Sequence, residues 1–431
     1  MTALGTGQAA SALPGKTAQA AGIANPAGPA LEHLLRERRL IVCVGAGGVG
    51  KTTIAAALAL AAARRGRRVL VCTIDPARRL ATSLGIGELG NEEREVPPNF
   101  LRASGVILAE GGSLHAMMLD TKRTFDRLIS RYAPSPEAAE RILANSIYQK
   151  VSSELSGSRE YMSMEKLYEL HMEGRYDLVV LDTPPTKHAL DFLNAPKRLT
   201  DFLQGSVFRW FVLPYFEAGR IGMGFANRLA QKALTWIEDL FGLDLLKELN
   251  DFFRLFENMY GGFKERAEKV GNLMRSAELC AFVLVTSPTR ETIGEALRFY
   301  EQLRAFQMPV VGVVANRVHP HFVAVGKLGG PLREAAAGEQ GMRRLREEIQ
   351  RTFFRDPVLA SAVMKAVSNF FEFERLAEAD RVNLQPIVTA ARSGGIFVCE
   401  IPALEEDVHD IAALDRIDRY LLGEEAPVAA G

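Results

Sequence analysis

The residue types best suited to chemistry are concentrated in one glycine-rich segment. Residues 45–52 read GAGGVGKT and fit the pattern G-x-x-x-x-G-K-[ST] of a phosphate-binding loop. The glycines allow backbone N–H groups to surround phosphate oxygens. Lys51 is expected to reach the β- and γ-phosphates of a nucleotide, and the hydroxyl of Thr52 to coordinate Mg²⁺. The spacing therefore predicts a site for the phosphates of a nucleotide.

Two carboxylates are predicted to complete this site. Asp182 closes the apolar run 178–181, where an acidic residue near Mg²⁺ is expected. Asp75 follows the apolar run 69–74, so it is expected at the same edge of a parallel sheet, orienting the attacking water or completing the metal shell. A single Asp at a strand end is most often a helix cap. The neighbouring phosphate loop favours the functional interpretation for both.

The elements around the glycine-rich segment indicate how it is positioned. Residues 39–44 form a short apolar run typical of a buried parallel strand. Residues 54–65 are alanine-rich and favour a helix, which Gly66 ends. Residues 68–74 then supply a second strand. This βαβ unit predicts an α/β fold with a doubly wound, mostly parallel sheet, as in P-loop NTPases.

The rest of the chain is predicted to extend this sheet and to add a large helical subdomain. Further strands are expected at 176–181, 281–285, 310–315 and 396–401. Long helical insertions are expected at about 120–173, 197–275 and 330–390. The sequence thus predicts one domain over residues 31–423, preceded by a disordered Ala/Gly-rich leader at 1–30 and followed by a flexible tail at 424–431.

Composition excludes several classes of protein. The chain has 431 residues, of which 48% are apolar, and its 52 basic residues balance 52 acidic ones. Without a basic excess, binding to nucleic acid by bulk electrostatics is not expected. No stretch of about 18 apolar residues is present, so stable membrane insertion is not expected either. The four cysteines, at 43, 72, 280 and 399, lie apart in strand-like runs, which favours buried thiols, no zinc site and a cytoplasmic location.

Three ordered motifs together resemble the ArsA-like ATPases, which include arsenite-pump ATPases and ATPases that target tail-anchored membrane proteins. The motifs are GAGGVGKTT, TIDPARRLATSLG and YDLVVLDTPPTKHALDFL. The similarity continues in VTSPTRET, VGVVANRV and VCEIPALEEDVHD, so it covers about residues 38–420. The resemblance implies ATP and Mg²⁺ as cofactors, ATP hydrolysis, and dimers that open and close around an apolar client or membrane-protein partner.

The resemblance also implies roles for individual residues. Asp75 polarises the attacking water and acts with Lys51 in catalysis. Asp182 belongs to a second switch and binds Mg²⁺ together with Thr52, with a water molecule between the Asp and the metal. Asn316 resembles the residue that recognises adenine, since its amide offers a donor and an acceptor; an Asn that forms a turn at the strand end is the alternative. The nucleotide-binding residues implied are Gly47, Gly48, Val49, Gly50, Lys51, Thr52, Thr53, Asn316 and Pro402.

One position departs from the family pattern. The family usually carries a Lys where this chain has Ala46, and that Lys reaches the partner subunit's nucleotide across the dimer. Three explanations remain open: another cation (Arg78, Arg79 or Lys187), a heterodimer with a paralogous ATPase that carries the Lys, or slow hydrolysis with a mainly switching role. A homodimer and a heterodimer are therefore both compatible with the sequence.

Aromatic residues are concentrated in one segment. Residues 201–265 contain 14 of the 34 aromatic residues and both tryptophans. Ordinary core beneath a helical layer is one interpretation. The other is a surface for a hydrophobic helical client, with candidate residues Phe208, Trp210, Phe211, Met223, Trp236, Phe253 and Phe256.

Three functions compete on this evidence. The first is an ATP-hydrolysing switch protein that handles an apolar client. The second is a weakly hydrolysing regulatory subunit paired with a Lys-bearing paralog. The third is a positioning ATPase of the ParA/MinD type, which needs a basic surface or an amphipathic C-terminal anchor; the acidic residues of 412–431 argue against it.

Overall fold

A single mostly parallel sheet forms the centre of the described part of the chain. The computed structural model describes residues 27–74, 79–87, 89–145, 148–149, 158–184, 262, 265–266, 268–322, 330–336 and 338–424. The strands are β1 Leu40–Gly45, β2 Arg68–Thr73, β3 Arg94–Glu95, β4 Ser113–Met118, β5 Leu178–Asp182, β6 Cys280–Thr286, β7 Val310–Val318 and β8 Phe397–Pro402.

The sheet has the order β3-β4-β2-β5-β1-β6-β7-β8 within the described residues. Every neighbouring pair is parallel except β3 and β4, which are antiparallel. The order extends outward from β1 in both directions, with crossovers between non-neighbouring strands. The predicted doubly wound, mostly parallel α/β fold is confirmed.

Helices cover the sheet and extend beyond it. Those that the structure describes over their full length are α1 Ala27–Glu37, α2 Lys51–Arg64, α3 Arg79–Ser83, α4 Pro98–Ala103, α5 Thr121–Tyr132, α6 Pro136–Ala144, α7 Ser158–Glu173, α8 Arg290–Ala305, α9 Gly330–Ala336, α10 Glu339–Thr352, α11 Pro357–Ser393 and α12 Ile411–Leu422. Thus α5, α6 and α7 lie in the first predicted helical insertion, and α9, α10 and most of α11 lie in the third.

The central strands are apolar because helices cover both faces of the sheet. Strands β1, β5 and β6 are buried at every position. Such continuous apolar runs are typical of parallel strands buried on two sides. Helix α2 packs on this sheet through alanines, whose small side chains allow a close approach, and it ends next to Gly66, which has φ +83°. The hydrophobic effect therefore fixes the helix that begins in the phosphate loop.

Helices α1 and α12 pack beside α2, although neither was predicted from the sequence. Arg64 at the end of α2 donates to Asp415 at 2.9 Å and to the fully buried Asp418 at 2.8 Å. Helix α1 begins at Ala27, so the last four residues of the range predicted as a leader are helical, and Ala27 is fully buried. Two helices thus support the outer face of the helix that carries Lys51.

Parallel strands bring the candidate residues to one edge of the sheet. In the register of the sheet, Asp182 lies beside Cys43 on one side and beside Thr73 on the other. The phosphate loop directly follows β1, so it lies at the same edge. The sheet therefore places the loop, the end of β2 and the end of β5 next to one another.

Candidate nucleotide site

The loop between β1 and α2 adopts a conformation that depends on glycine. Gly48 has φ +76° and Gly50 has φ +94°, in the left-handed region that glycine favours. A Cβ at Gly50 would lie 2.3 Å from the side-chain nitrogen of Asn316. Gly50 is therefore needed both for the turn of the loop and for the close approach of the Asn316 side chain.

Lys51 is the first residue of α2, and its side chain folds back over the loop. Its ammonium donates a hydrogen bond to the carbonyl oxygen of Ala46 at 2.8 Å, and the residue is only 8% exposed. The N-terminus of α2 adds the partial positive charge of its free N–H groups. A cation and a helix N-terminus thus converge on one loop, which is the arrangement that binds anionic phosphates.

Asp182 is bonded to two threonine hydroxyls. Its Oδ2 accepts from Thr52 Oγ1 at 2.7 Å and from Thr73 Oγ1 at 2.9 Å, and the residue is 1% exposed. A carboxylate and a hydroxyl are hard oxygen donors of the kind that Mg²⁺ prefers. The donor set therefore fits the predicted metal, and the structure brings Thr52 and Asp182 into direct contact.

Thr73 was not predicted as part of the site. The only signal in the sequence is its position at the end of an apolar run. Its contact with Asp182 depends on β2 lying beside β5, two strands separated by more than a hundred residues. The next residue along the chain, Ile74, donates its backbone N–H to the carbonyl of Asp182 at 3.2 Å. The end of β2 is therefore tied to Asp182 at two successive residues.

The end of β7 contacts the phosphate loop. Asn316 is 6% exposed, and its side-chain amide donates to the carbonyl of Val49 at 2.9 Å. Arg317, with φ +62°, donates to the carbonyl of Gly48 at 3.4 Å. Asn316 therefore bonds the loop and lies within the strand, which differs from the turn-forming alternative. Its role in recognising adenine stays a prediction.

Pro402 and Thr53 lie at or near the same edge. Pro402 is the last residue of β8 and is paired with Val318 of β7, and the backbone N–H of Ala403 donates to Val318 at 2.9 Å. Thr53 lies half-buried in the first turn of α2. The structure thus brings Pro402 to the strand next to that of Asn316.

The four cysteines are buried thiols, each in a strand as predicted. Burial raises the pKa of Cys43 far above its usual value, and the charge of Asp182 adds to this effect. Burial also raises the pKa of Cys72 to about 12. Protonated thiols are poor metal ligands and poor nucleophiles. Among the residues described, no cluster of three or more His, Cys, Asp or Glu side chains forms a metal site.

Several predicted residues lie outside the described part of the chain. These are Asp75, Arg78, Lys187 and all seven candidate client residues, Phe208, Trp210, Phe211, Met223, Trp236, Phe253 and Phe256. Ala46 is described, and it is 4% exposed within the core cluster that contains Val49. Arg79 is exposed at the start of α3.

None of the helices among the described residues is long and apolar enough to cross a membrane. This finding concerns only that part of the chain.

The chain is similar to one protein family and to several individual proteins, all of them described as ATPases. The model of the family described as "Anion-transporting ATPase" matches residues 38–327. The chain is 25% identical over 288 residues to "Putative arsenical pump-driving ATPase 1" of Aquifex aeolicus, covering 66% of this chain and 64% of that protein. It is 26% identical to "ATPase ASNA1 homolog 1" of Paramecium tetraurelia, covering 67% of this chain and 78% of the other. It is 27% identical to "ATPase GET3C" of Arabidopsis thaliana, covering 66% and 68%.

Proposed function

The chain belongs to the anion-transporting ATPase family, and from that premise we propose that it is a Mg²⁺-dependent ATPase whose dimer opens and closes to handle an apolar client. Membership confirms the resemblance inferred from the three motifs. The observation that carries the hydrolytic part of the proposal is the contact between Thr52 and Asp182 beside the phosphate loop. The resulting site combines a cradle of backbone N–H groups, one cation and oxygen donors for one divalent metal.

ATP binding in this proposal begins with the loop and Lys51. The backbone N–H groups between Gly47 and Thr53 donate to phosphate oxygens. Lys51 exchanges its bond to the Ala46 carbonyl for bonds to phosphate. That exchange is favourable because a hydrogen bond between two charged groups is stronger than one to a neutral carbonyl. Phosphate thus takes the place of an internal contact of the loop.

Thr52 and Asp182 are the residues that would hold Mg²⁺. When bound, the metal neutralises charge on the phosphate oxygens. Thr73 positions Asp182 by donating to the same oxygen that contacts Thr52. The two hydroxyl donors hold the carboxylate of Asp182 in one orientation. The side chain therefore loses little conformational freedom when the reaction takes place.

Asp75 and Asn316 supply the two remaining parts of the proposal. Asp75 directly follows Ile74 in the sequence, and the backbone N–H of Ile74 is bonded to Asp182. In the proposal, the carboxylate of Asp75 accepts a proton or a hydrogen bond from the attacking water. Asn316 recognises the base, and in doing so it releases the carbonyl of Val49. Base recognition and loop conformation are thereby linked.

The client part of the proposal rests on family membership and on the aromatic segment 201–265. One relative is named as driving an arsenical pump and others are named only as ATPases. A role in binding an apolar helix fits a segment rich in aromatic residues, since an apolar groove can accept the apolar face of a helix. Dimer closure driven by ATP would shape that surface.

The proposal is tested by the Mg²⁺ dependence of ATP turnover. The purified full chain should hydrolyse ATP with Mg²⁺ and stop when EDTA is in excess. Asp182→Asn should raise the Mg²⁺ concentration for half-maximal turnover by at least about tenfold, the scale expected for a changed ligand or outer-sphere partner. Turnover measured against Mg²⁺ concentration gives this value.

Asp120→Asn is the matched control for that experiment. Asp120 follows β4 at the same edge of the sheet, but its carboxylate caps α5 by accepting from the backbone of Arg123 at 3.0 Å. Asn caps helices equally well, so this variant should behave as the wild type. Equal Mg²⁺ requirements for the wild type and Asp182→Asn would refute the metal role.

A second function, that of a regulatory subunit with weak hydrolysis, is favoured by one observation. Where the family carries a Lys that acts on the partner subunit's nucleotide, this chain has Ala46. The methyl group of Ala46 is buried and carries no charge. Such a subunit would bind ATP and depend on a Lys-bearing paralog for fast turnover. The two functions are separated by comparing turnover of the chain alone with turnover beside that paralog.

Ala46→Lys tests the same point within the chain. We expect this variant to raise the turnover of the homomer about tenfold, because a cation near the γ-phosphate stabilises charge in the transition state. The effect stays below that of an arginine finger because the new side chain starts from a buried position. Steady-state turnover is the measurement, and Ala46→Gln is the uncharged control.

Other outcomes of that experiment are equally informative. If Arg79 or Lys187 already supplies the cation, Ala46→Lys changes ATP turnover little. Neutralising Arg79 or Lys187 then lowers ATP turnover strongly. If neither change alters turnover while ATP affinity is intact, the enzyme uses no trans cation.

A further inference from the structure

A cavity among the described residues lies at the edge of the sheet opposite the phosphate loop. Its volume is about 360 Å³. Three of its residues come from the beginnings of strands whose other ends form the nucleotide site: Leu40 of β1, Arg68 of β2 and Val179 of β5. Its other lining residues are Arg39, Leu167, Leu170, His171, Gly174, Tyr176, Asp177 and Leu273. Nothing in the proposed ATPase mechanism uses this cavity.

The floor of the cavity is aliphatic. Five of the lining residues are buried Leu or Val side chains, namely Leu40, Leu167, Leu170, Val179 and Leu273. They come from two strands, from α7 and from the helical segment that precedes β6. An alkyl chain placed on them would lose its contact with water, and burial of apolar surface stabilises a complex. The floor therefore favours an aliphatic ligand.

Two of the charges around the cavity neutralise each other. Asp177 accepts three hydrogen bonds from Arg68: Oδ1 from Nη2 at 2.9 Å, and Oδ2 from the backbone N–H at 2.9 Å and from Nε at 3.2 Å. These bonds hold the pKa of Asp177 below its usual value, so the pair remains ionised and its net charge is zero. The pair forms a polar wall without excess charge.

Arg39 supplies the remaining charge. Among the described residues, its guanidinium makes no ion pair with a carboxylate. His171 lies close enough to be affected by it: burial lowers the pKa of His171, and the charge of Arg39 lowers it further. At neutral pH the imidazole is thus uncharged and offers one N–H donor. Burial raises the pKa of Tyr176 to about 12, so its hydroxyl is uncharged as well. The lining residues therefore carry a net charge of one positive unit.

We propose that this cavity binds a small amphiphilic monoanion, an aliphatic carboxylate, with its head group on Arg39 and His171 and its chain on the leucine-rich floor. A single negative charge matches the single unpaired guanidinium, and a planar carboxylate matches the guanidinium fork. The volume of about 360 Å³ is many times the roughly 10–15 Å³ that one water molecule needs by the same measure, so the cavity has room for an aliphatic chain with its carboxylate. The proposal does not depend on ATP hydrolysis.

The test is calorimetric titration of the full chain with octanoate at neutral pH. Two further probes separate the contributions of head and tail: 1-octanol keeps the chain without the charge, and butyrate keeps the charge with a short chain. We expect saturable binding of octanoate, with 1-octanol and butyrate each at least about tenfold weaker.

Arg39→Gln is the informative variant, because the side chain is exposed and its loss should leave the fold intact. It should weaken octanoate binding about tenfold, the scale of a lost hydrogen bond to a charged group. Arg36→Gln removes a guanidinium that is 64% exposed on α1, outside the cavity lining, and should bind octanoate as the wild type does. Lys51→Ala should also bind octanoate normally, which separates this site from the phosphate loop.

Three results would overturn the proposal. The first is absence of saturable octanoate binding to the folded wild type. The second is equal affinity of Arg39→Gln and the wild type, or of octanol and octanoate, since the head group would then not be recognised. The third is loss of octanoate binding in folded Lys51→Ala, which would place the carboxylate at the phosphate loop.

Discussion

Lys51→Ala is expected to lower ATP affinity by at least about 10²-fold. The ammonium of Lys51 is held over the loop by the Ala46 carbonyl, so it is already within reach of an anion that enters the loop. Loss of charge-assisted bonds to phosphate costs about 1.5–3 kcal/mol each, and Lys51 is expected to bond to both the β- and the γ-phosphate. Calorimetric titration with ATP, or with a fluorescent analogue, measures the change.

Lys122→Ala is the matched control for this experiment. Lys122 lies on α5, near the same edge of the sheet, and its ammonium pairs with Asp126 one helical turn away. Its removal should leave ATP affinity unchanged. Thermal unfolding of Lys51→Ala is measured alongside, because the carbonyl that it frees belongs to the buried Ala46, and only a folded variant reports on ATP affinity. ATP affinity that is unchanged in Lys51→Ala would mean that the loop does not bind phosphate.

Asp75→Asn is expected to reduce ATP hydrolysis by at least about 10²-fold while ATP binding persists, a typical scale for loss of a positioned general base. The amide has the shape of the carboxylate but neither its charge nor its basicity. The two residues that precede Asp75 in the sequence support this catalytic role, since Thr73 and Ile74 are both bonded to Asp182. Single-turnover hydrolysis, measured together with ATP affinity, separates chemistry from binding.

Asp120→Asn again provides a control at the same sheet edge, since its carboxylate caps α5 and pairs with Nε of Arg123 at 3.7 Å, and neither contact belongs to the nucleotide site. Hydrolysis in this control should equal that of the wild type. Asp75→Asn with wild-type turnover would show that the first switch does not activate water. If both ATP affinity and turnover fell together, the carboxylate would instead act in binding.

Local spacing in the sequence was sufficient to predict the phosphate loop and the strand that precedes it. Six of the eight strands among the described residues lie where apolar runs predicted them, because burial on both faces requires an unbroken apolar run. The two strands that were not predicted have weaker patterns: β3 is two exposed residues, and β4 reads SLHAMM. Asp182 was predicted because a strand end in a parallel sheet is a position that local sequence can identify.

Other features were decided only by the tertiary structure. Thr73 joins the site because β2 lies beside β5, and Asn316 contacts Val49 across 267 residues of chain. The packing of α1 and α12 on α2, and the cavity beside Arg39, likewise combine segments that are remote in sequence. Strand order depends on which helices cover which face of the sheet, a global balance of buried apolar area. No local pattern encodes that balance, whereas the turn of a glycine-rich loop depends only on its own few residues.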